Sequence, residues 1–212
     1  MSVVIGVDAG TTVTKAVAFA DGVPAVTASR ATAVQRCSDG RVEQDQGEVV
    51  ASVLEVLAEV AAQLGPRTAE TIAIGLTGQG DGLWLTDAHG VGVGPAMSWL
   101  DARANAVVET WHDDGTSAEI AAVTGSEPFP GATPALLAWV ARERPDLIER
   151  AAVAGHCKDM LLTRLTGARA TEPSNAILFD HRTRTSSDAL VERCELGAAR
   201  ELIAPVASAP TG

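Results

Sequence analysis

Asp8-Ala9-Gly10-Thr11-Thr12-Val13-Thr14-Lys15 crosses the turn between two short apolar stretches and gathers residue types that hold phosphate. Gly10 permits a positive φ and a close backbone approach, so successive N–H groups can line an anion-binding concavity. The Thr11 and Thr12 hydroxyls add donors, and Lys15 offers a point charge. The Asp8 carboxylate is suited to holding Mg²⁺, usually through water, beside phosphates. An ordinary Gly-Thr hairpin capped by Asp8 is the alternative. Lys15 weighs against it, because the chain has only two lysines, Lys15 and Lys158, beside fourteen arginines.

Two further stretches have the chemistry to read hydroxyls. In Gly78-Gln79-Gly80-Asp81-Gly82, the Gln79 amide donates and accepts while the Asp81 carboxylate accepts, which suits a polyol. The alternative is a glycine-rich turn whose polar groups are merely solvated. In Trp99-Leu100-Asp101-Ala102-Arg103, the indole can pack on the C–H surface of a sugar, and Asp101 and Arg103 can bind hydroxyls or each other. Their alternative is Trp99 in the core, Asp101 capping a helix and Arg103 in a surface ion pair.

These residues need elements to position them. Short strands over 3–7, 12–20 and 23–28, joined by tight turns, read as an antiparallel meander. Residues 45–64 carry helical periodicity that Gly65-Pro66 stops, and 71–76 read as a buried strand, giving a β-β-β-α-β unit. Gln79 and Asp81 then lie just past a strand's carboxyl end, where open α/β sheets bind ligands. A second hairpin is expected over 83–86 and 91–99, around Asp87-Ala88-His89-Gly90. Helices are expected over 102–111, 117–124, 134–144, 145–152 and 158–165. Residues 206–212 show no closing element, so the chain reads as cut off.

With 212 residues and 46% hydrophobic content, the chain is long enough for one buried core and is not disordered. A net charge of −11 repels nucleic acid and anionic lipid, and neither is expected as a partner. Cys37, Cys157 and Cys194 are odd in number, with no CxxC, and read as reduced thiols in a cytoplasmic protein. His89, His112, His156 and His181 show no ligand or triad spacing. No apolar run approaches a membrane span, and the start carries no basic leader.

The ordered set of motifs resembles the N-terminal domain of the FGGY carbohydrate kinases, of the acetate and sugar kinase/Hsc70/actin superfamily. It comprises Val4-Ile5-Gly6-Val7-Asp8-Ala9-Gly10-Thr11-Thr12, Glu43-Gln44-Asp45, Gly75-Leu76-Thr77-Gly78-Gln79, Trp99-Leu100-Asp101-Ala102-Arg103 and Thr133-Pro134-Ala135-Leu136-Leu137. Later come Lys158-Asp159-Met160-Leu161, Arg164-Leu165-Thr166-Gly167 and Thr171-Glu172-Pro173-Ser174-Asn175-Ala176. The resemblance implies an α/β, ribonuclease H-like mixed sheet with flanking helices, across residues 1–212 of an incomplete domain whose C-terminal lobe is absent. It implies ATP-dependent phosphorylation of a sugar or polyol hydroxyl. Asp8, Gly10, Thr11, Thr12 and Lys15 then face ATP and Mg²⁺, with Asp8 at the metal. Gln79, Gly80, Asp81 and Trp99 face the acceptor, with Asp101 and Arg103 beside them. Where this family often carries Met-His or Arg-Glu, this chain has Gly80-Asp81, and in that it looks most like the erythritol kinase branch. The family's catalytic base is expected beyond Gly212, so the chain alone is expected to be inactive. A non-catalytic polyol-binding or assembly module needing a second lobe is the competing expectation, and a homodimer stays open.

Overall fold

The structure is a computed structural model and describes residues 2–207. Val3, Ile5, Val7 and Ala9 alternate with Val4, Gly6 and Asp8, the period-2 pattern of a strand with one buried face, and Val3–Ala9 forms β1. Two turns send the chain back and forth as β2 (Val13–Ala20) and β3 (Val23–Ala31), each antiparallel to the strand before it. After the short β4 (Gln35–Arg36) and β5 (Val42–Gln44), the Asp45 side chain accepts from the Glu48 N–H and caps α1 (Gln46–Leu64). Gly65, at φ 56°, ends that helix. A 3₁₀ turn leads into β6 (Thr71–Gly78), which runs parallel to β1 and completes a sheet of order β3-β2-β1-β6. The β-β-β-α-β unit is therefore present, with two short strands added before its helix.

Helix α1 lays Val49, Val53, Val56, Val60 and Leu64 over the sheet face formed by Val3, Ile5, Val7, Ala16 and Ala18. By length and composition the stretch Gln46–Glu70 is apolar enough to cross a membrane, which corrects the expectation of no such segment. The physical reason for its composition is the sheet: its apolar stripe is one wall of the core.

The hairpin expected over 83–99 forms only in part. Its turn closes, with the Asp87 N–H donating to Val91 O at 2.8 Å, and Leu83 and Met97 exchange backbone hydrogen bonds. Of the short strands β7 (Trp84–Thr86), β8 (Ala96–Met97) and β9 (Val153–Gly155), however, β7 ladders with β9, and β8 ladders with β5. Gly92, Gly94 and Pro95 interrupt the returning arm, and Pro95 has no N–H to give a ladder. Alternate residues of this segment enter different cores. Trp84 joins the sheet core, whereas Leu83 and Leu85 join a helical core with Trp111, Leu136, Leu137 and Leu196. That fixes the start of β7, and with it the end of the turn at 79–82.

The five expected helices occur as α2 (Asn105–Asp113), α3 (Thr116–Thr124), α4 (Thr133–Glu143), α5 (Pro145–Arg150) and α6 (Cys157–Thr166). The two-stranded β10 (Phe179–Asp180) and β11 (Thr185–Ser186), and α7 (Asp188–Arg193), lie outside the sequence expectation. Val206 bridges in parallel to Thr171, so the stretch read as a loose end is tied down at its start. Ser208 to Gly212 lie outside the described residues.

Candidate functional site

Because β1 and β6 are parallel, they end side by side, with Ala9 paired to Gly78. Each then gives way to one of the two glycine turns, and the Gln79 N–H donates to Ala9 O at 3.0 Å. The two motifs, nearly seventy positions apart in sequence, thus share the carboxyl edge of one sheet, where strand ends leave room for a ligand. Asp8, Gly10, Thr11, Gly78, Gln79, Gly80, Asp81 and Trp99 line a recess of about 430 Å³ there.

A closed set of hydrogen bonds holds the recess together. The Trp99 indole N–H donates to Thr11 Oγ1 (3.1 Å), whose own proton goes to Gln79 Oε1 (3.3 Å). Gln79 Nε2 donates to Gln44 Oε1 (2.6 Å), and Gln44 Nε2 returns to Thr11 O (2.9 Å). Gln79 is only 8% exposed with both ends of its amide engaged, so it positions the loops rather than reading a hydroxyl freely. Gln44 carries no site signal in the sequence beyond its place in Glu43-Gln44-Asp45 before α1. Trp99 keeps 42% of its surface exposed while its N–H is fixed, so the ring faces the recess in one orientation instead of joining the core. Thr11→Val removes two of these bonds. We expect a loss of about 1–2 kcal/mol in urea unfolding and an altered Trp99 indole ¹H–¹⁵N resonance.

Several site expectations need correction. Gly10 does not adopt positive φ; glycine is required because a Cβ would stand 2.9 Å from Val13 O inside the tight turn. The strained residue is Asp81, at φ 51°. Thr12 is exposed outside the recess lining. Lys15 is the ladder partner of Asp8 and lines the adjoining outer face of the sheet with Gly6, Val17 and Phe19. Asp101 and Arg103 are not free to bind hydroxyls. Asp101 Oδ2 accepts from the Val42 N–H and from Arg103, Oδ1 accepts twice more from Arg103, and Arg103 reaches Glu43 at 2.6 Å. Asp101 is 1% exposed and caps no helix, since α2 is preceded by Ala104. The pair is an internal brace joining β5 to the Trp99 segment.

The electrostatics separate the two carboxylates of the recess. The Asp8 carboxylate is exposed and has no hydrogen bond or ion pair among the described residues. No cluster of three or more His, Cys, Asp or Glu able to hold a metal occurs among the described residues. Of the carboxylates lining the recess, Asp8 is the exposed one that could hold a hydrated cation. At Asp81, burial pushes the carboxyl above its ordinary value, partly offset by the charge of His156 and by the Thr133 N–H.

Residues 3–210 match the model of the FGGY family of carbohydrate kinases, N-terminal domain. The chain is 35% identical over 204 residues to erythritol kinase of Brucella abortus, covering 95% of this chain and 39% of that protein. It is 30% identical to glycerol kinase 1 of Pseudomonas aeruginosa, covering 91% of this chain and 41% of that one. A crystal structure of xylulose kinase from Rhodospirillum rubrum superposes with a TM-score of 0.86 at 24% identity, over 97% of this chain and 42% of that one. The chain thus spans about two-fifths of the length of these relatives. With residues 3–210 matched by its N-terminal-domain model, this chain belongs to the FGGY family of carbohydrate kinases.

Proposed function

We propose that the chain supplies the phosphate-facing and acceptor-facing walls of a kinase that transfers a phosphoryl group from ATP to a hydroxyl of a sugar or polyol. The observation that carries this reading is the single recess joining Asp8, Gly10 and Thr11 to Gln79, Asp81 and Trp99. MgATP, when bound, supplies the transferable phosphoryl group. Asp8 would hold the hydrated ion, and the Gly10–Thr11 backbone would line the phosphates. The Asp81 carboxylate accepts an acceptor hydroxyl, and the Trp99 ring covers the C–H side of the carbon chain. Such transfer depends mainly on positioning and electrostatics, so walls from one lobe bind without completing the chemistry.

Erythritol, xylitol, xylulose, ribulose and glycerol are the acceptors to try, by isothermal titration and by a coupled ADP-release assay. The chain of 212 residues is expected to bind a polyol and release no ADP. A chain that binds none of them, or that turns one over unaided, overturns the reading. Because burial raises the Asp81 carboxyl, this group stays protonated over part of the acid range in which an ordinary carboxylate is already ionised. Acceptor affinity should therefore fall as pH is lowered, starting above the ordinary carboxylate value. A flat profile through that range removes Asp81 as the acceptor.

A further inference from the structure

Behind Asp81 lies a buried polar chain that the proposed reaction does not use. Thr133, His156 and Asp159 are 1%, 3% and 3% exposed, at the start of α4, before α6 and in its first turn. Thr133 Oγ1 lies 2.7 Å from Gly82 O and 2.7 Å from His156 Nε2. A hydroxyl has one proton, and a carbonyl oxygen has none. The proton on Thr133 Oγ1 is therefore committed to Gly82 O, and the contact with His156 requires that Nε2 carry its own. Thr133 Oγ1 thus holds Gly82, the residue that follows Asp81 in the positive-φ turn, with Asp81 at 51° and Gly82 at 74°.

His156 is itself held from behind. Its backbone N–H donates to Asp159 Oδ2 at 3.0 Å, with Nδ1 3.4 Å from the same oxygen. Lys158 Nζ donates to Asp159 Oδ1 at 2.7 Å, and the Thr171 hydroxyl to Oδ2 at 3.1 Å. Burial pushes the Asp159 carboxyl up, but the His156 bonds and the Lys158 ammonium outweigh it and hold the group below its ordinary value. Asp159 thus stays an anion that accepts the His156 backbone N–H, and with protons on both Nδ1 and Nε2 the ring sits against it as a cation.

We infer that His156 is a positioning residue for Asp81: by donating from Nε2 to Thr133 Oγ1, it forces the Thr133 proton onto Gly82 O and locks the turn that presents the Asp81 carboxylate. This rests on the acceptor-binding reading of Asp81 for its consequence, though not for its geometry. A mispositioned turn costs acceptor affinity, while the fold, held by two apolar cores, survives.

Long-range ¹H–¹⁵N correlation on the labelled chain reads the imidazole directly, with His156→Gln assigning the signal. A proton on Nε2 is expected; a His156 protonated on Nδ1 alone overturns the inference. His156→Leu should shift the Asp81 and Gly82 amide resonances and weaken erythritol binding by about tenfold, the scale of one buried hydrogen bond to the turn. His156→Gln, which keeps a donor at the same reach, should restore both, and Thr133→Ser should behave as the parent where Thr133→Val does not. Parent-like Asp81 and Gly82 resonances in both His156→Leu and Thr133→Val refute the clamp. If the parent binds no polyol, the acceptor reading falls, while the Nε2 proton and the two amide resonances still decide the clamp.

Discussion

A chain carrying Arg103→Ala is expected to unfold with about 3–5 kcal/mol less stability than the parent, the scale of breaking a buried ion pair from one side. The Arg103 side chain is 7% exposed, and its partners Asp101 and Glu43 are 0% and 14% exposed. Removing the guanidinium leaves one carboxylate fully buried and another nearly so, with no cation to oppose them. Against a typical total of about 5–15 kcal/mol, that is a large fraction. Arg103→Lys should rescue little. A lysine cannot bond Asp101 with two nitrogens while reaching Glu43, nor can its ammonium replace the planar guanidinium 5.1 Å from the Trp139 ring centre. The triple change Arg103→Met, Asp101→Asn, Glu43→Gln should recover part of the loss, because it removes the unpaired charges together. Urea unfolding with an unchanged m-value checks this, and a loss below about 1 kcal/mol for Arg103→Ala would show that the brace is not needed.

Gly131→Ala is expected to be the next most severe, for a different reason. A Cβ at Gly131 would fall inside the van der Waals radius of Trp99 O, with the Trp99 carbonyl carbon also in collision. Both obstacles are backbone and cannot swing aside as a side chain would. Gly131 O also accepts the Gly82 N–H at 2.9 Å, so the same residue touches the aromatic wall and the Asp81 turn. Overpacking of a close backbone contact costs roughly 1–3 kcal/mol, occasionally more, and here the relaxation must move Trp99 away from Thr11. Loss of the Trp99 indole resonance position, together with a lowered Tm, is the expected signature. A Gly131→Ala chain with parental Tm and an unmoved indole signal would mean that the segment yields without disturbing the site.

The sequence patterns were most legible where one periodicity governs a whole element. Strand alternation in 3–9 and the helical stripe of 46–64 each reflect burial on a single face, which local composition records. The pairing of β7 with β9 was not legible, because the three residues of β7 are buried on both faces and carry no alternation. Site residues show the same division. Asp8, Asp81 and Trp99 were readable from type and motif, and the recess brings them together. Asp101 and Arg103 have the right types for binding hydroxyls, but whether such a pair faces solvent or braces the interior is decided by Glu43, sixty positions away. Gln44 and His156 were illegible as site residues because their roles depend on partners, Gln79 and Thr133, that only the fold supplies.

The central claim, that one recess joins the phosphate turn to the polyol-reading turn, is tested most directly on the Trp99 indole resonance during an erythritol titration. That N–H bonds Thr11 of the first turn, and its ring lines the recess with Asp81 of the second. Trp99→Phe assigns the signal. A saturable shift in the parent chain, abolished by Asp81→Ala, is the expected result. An indole signal that never moves, or that moves equally with Asp81→Ala, would contradict a shared site.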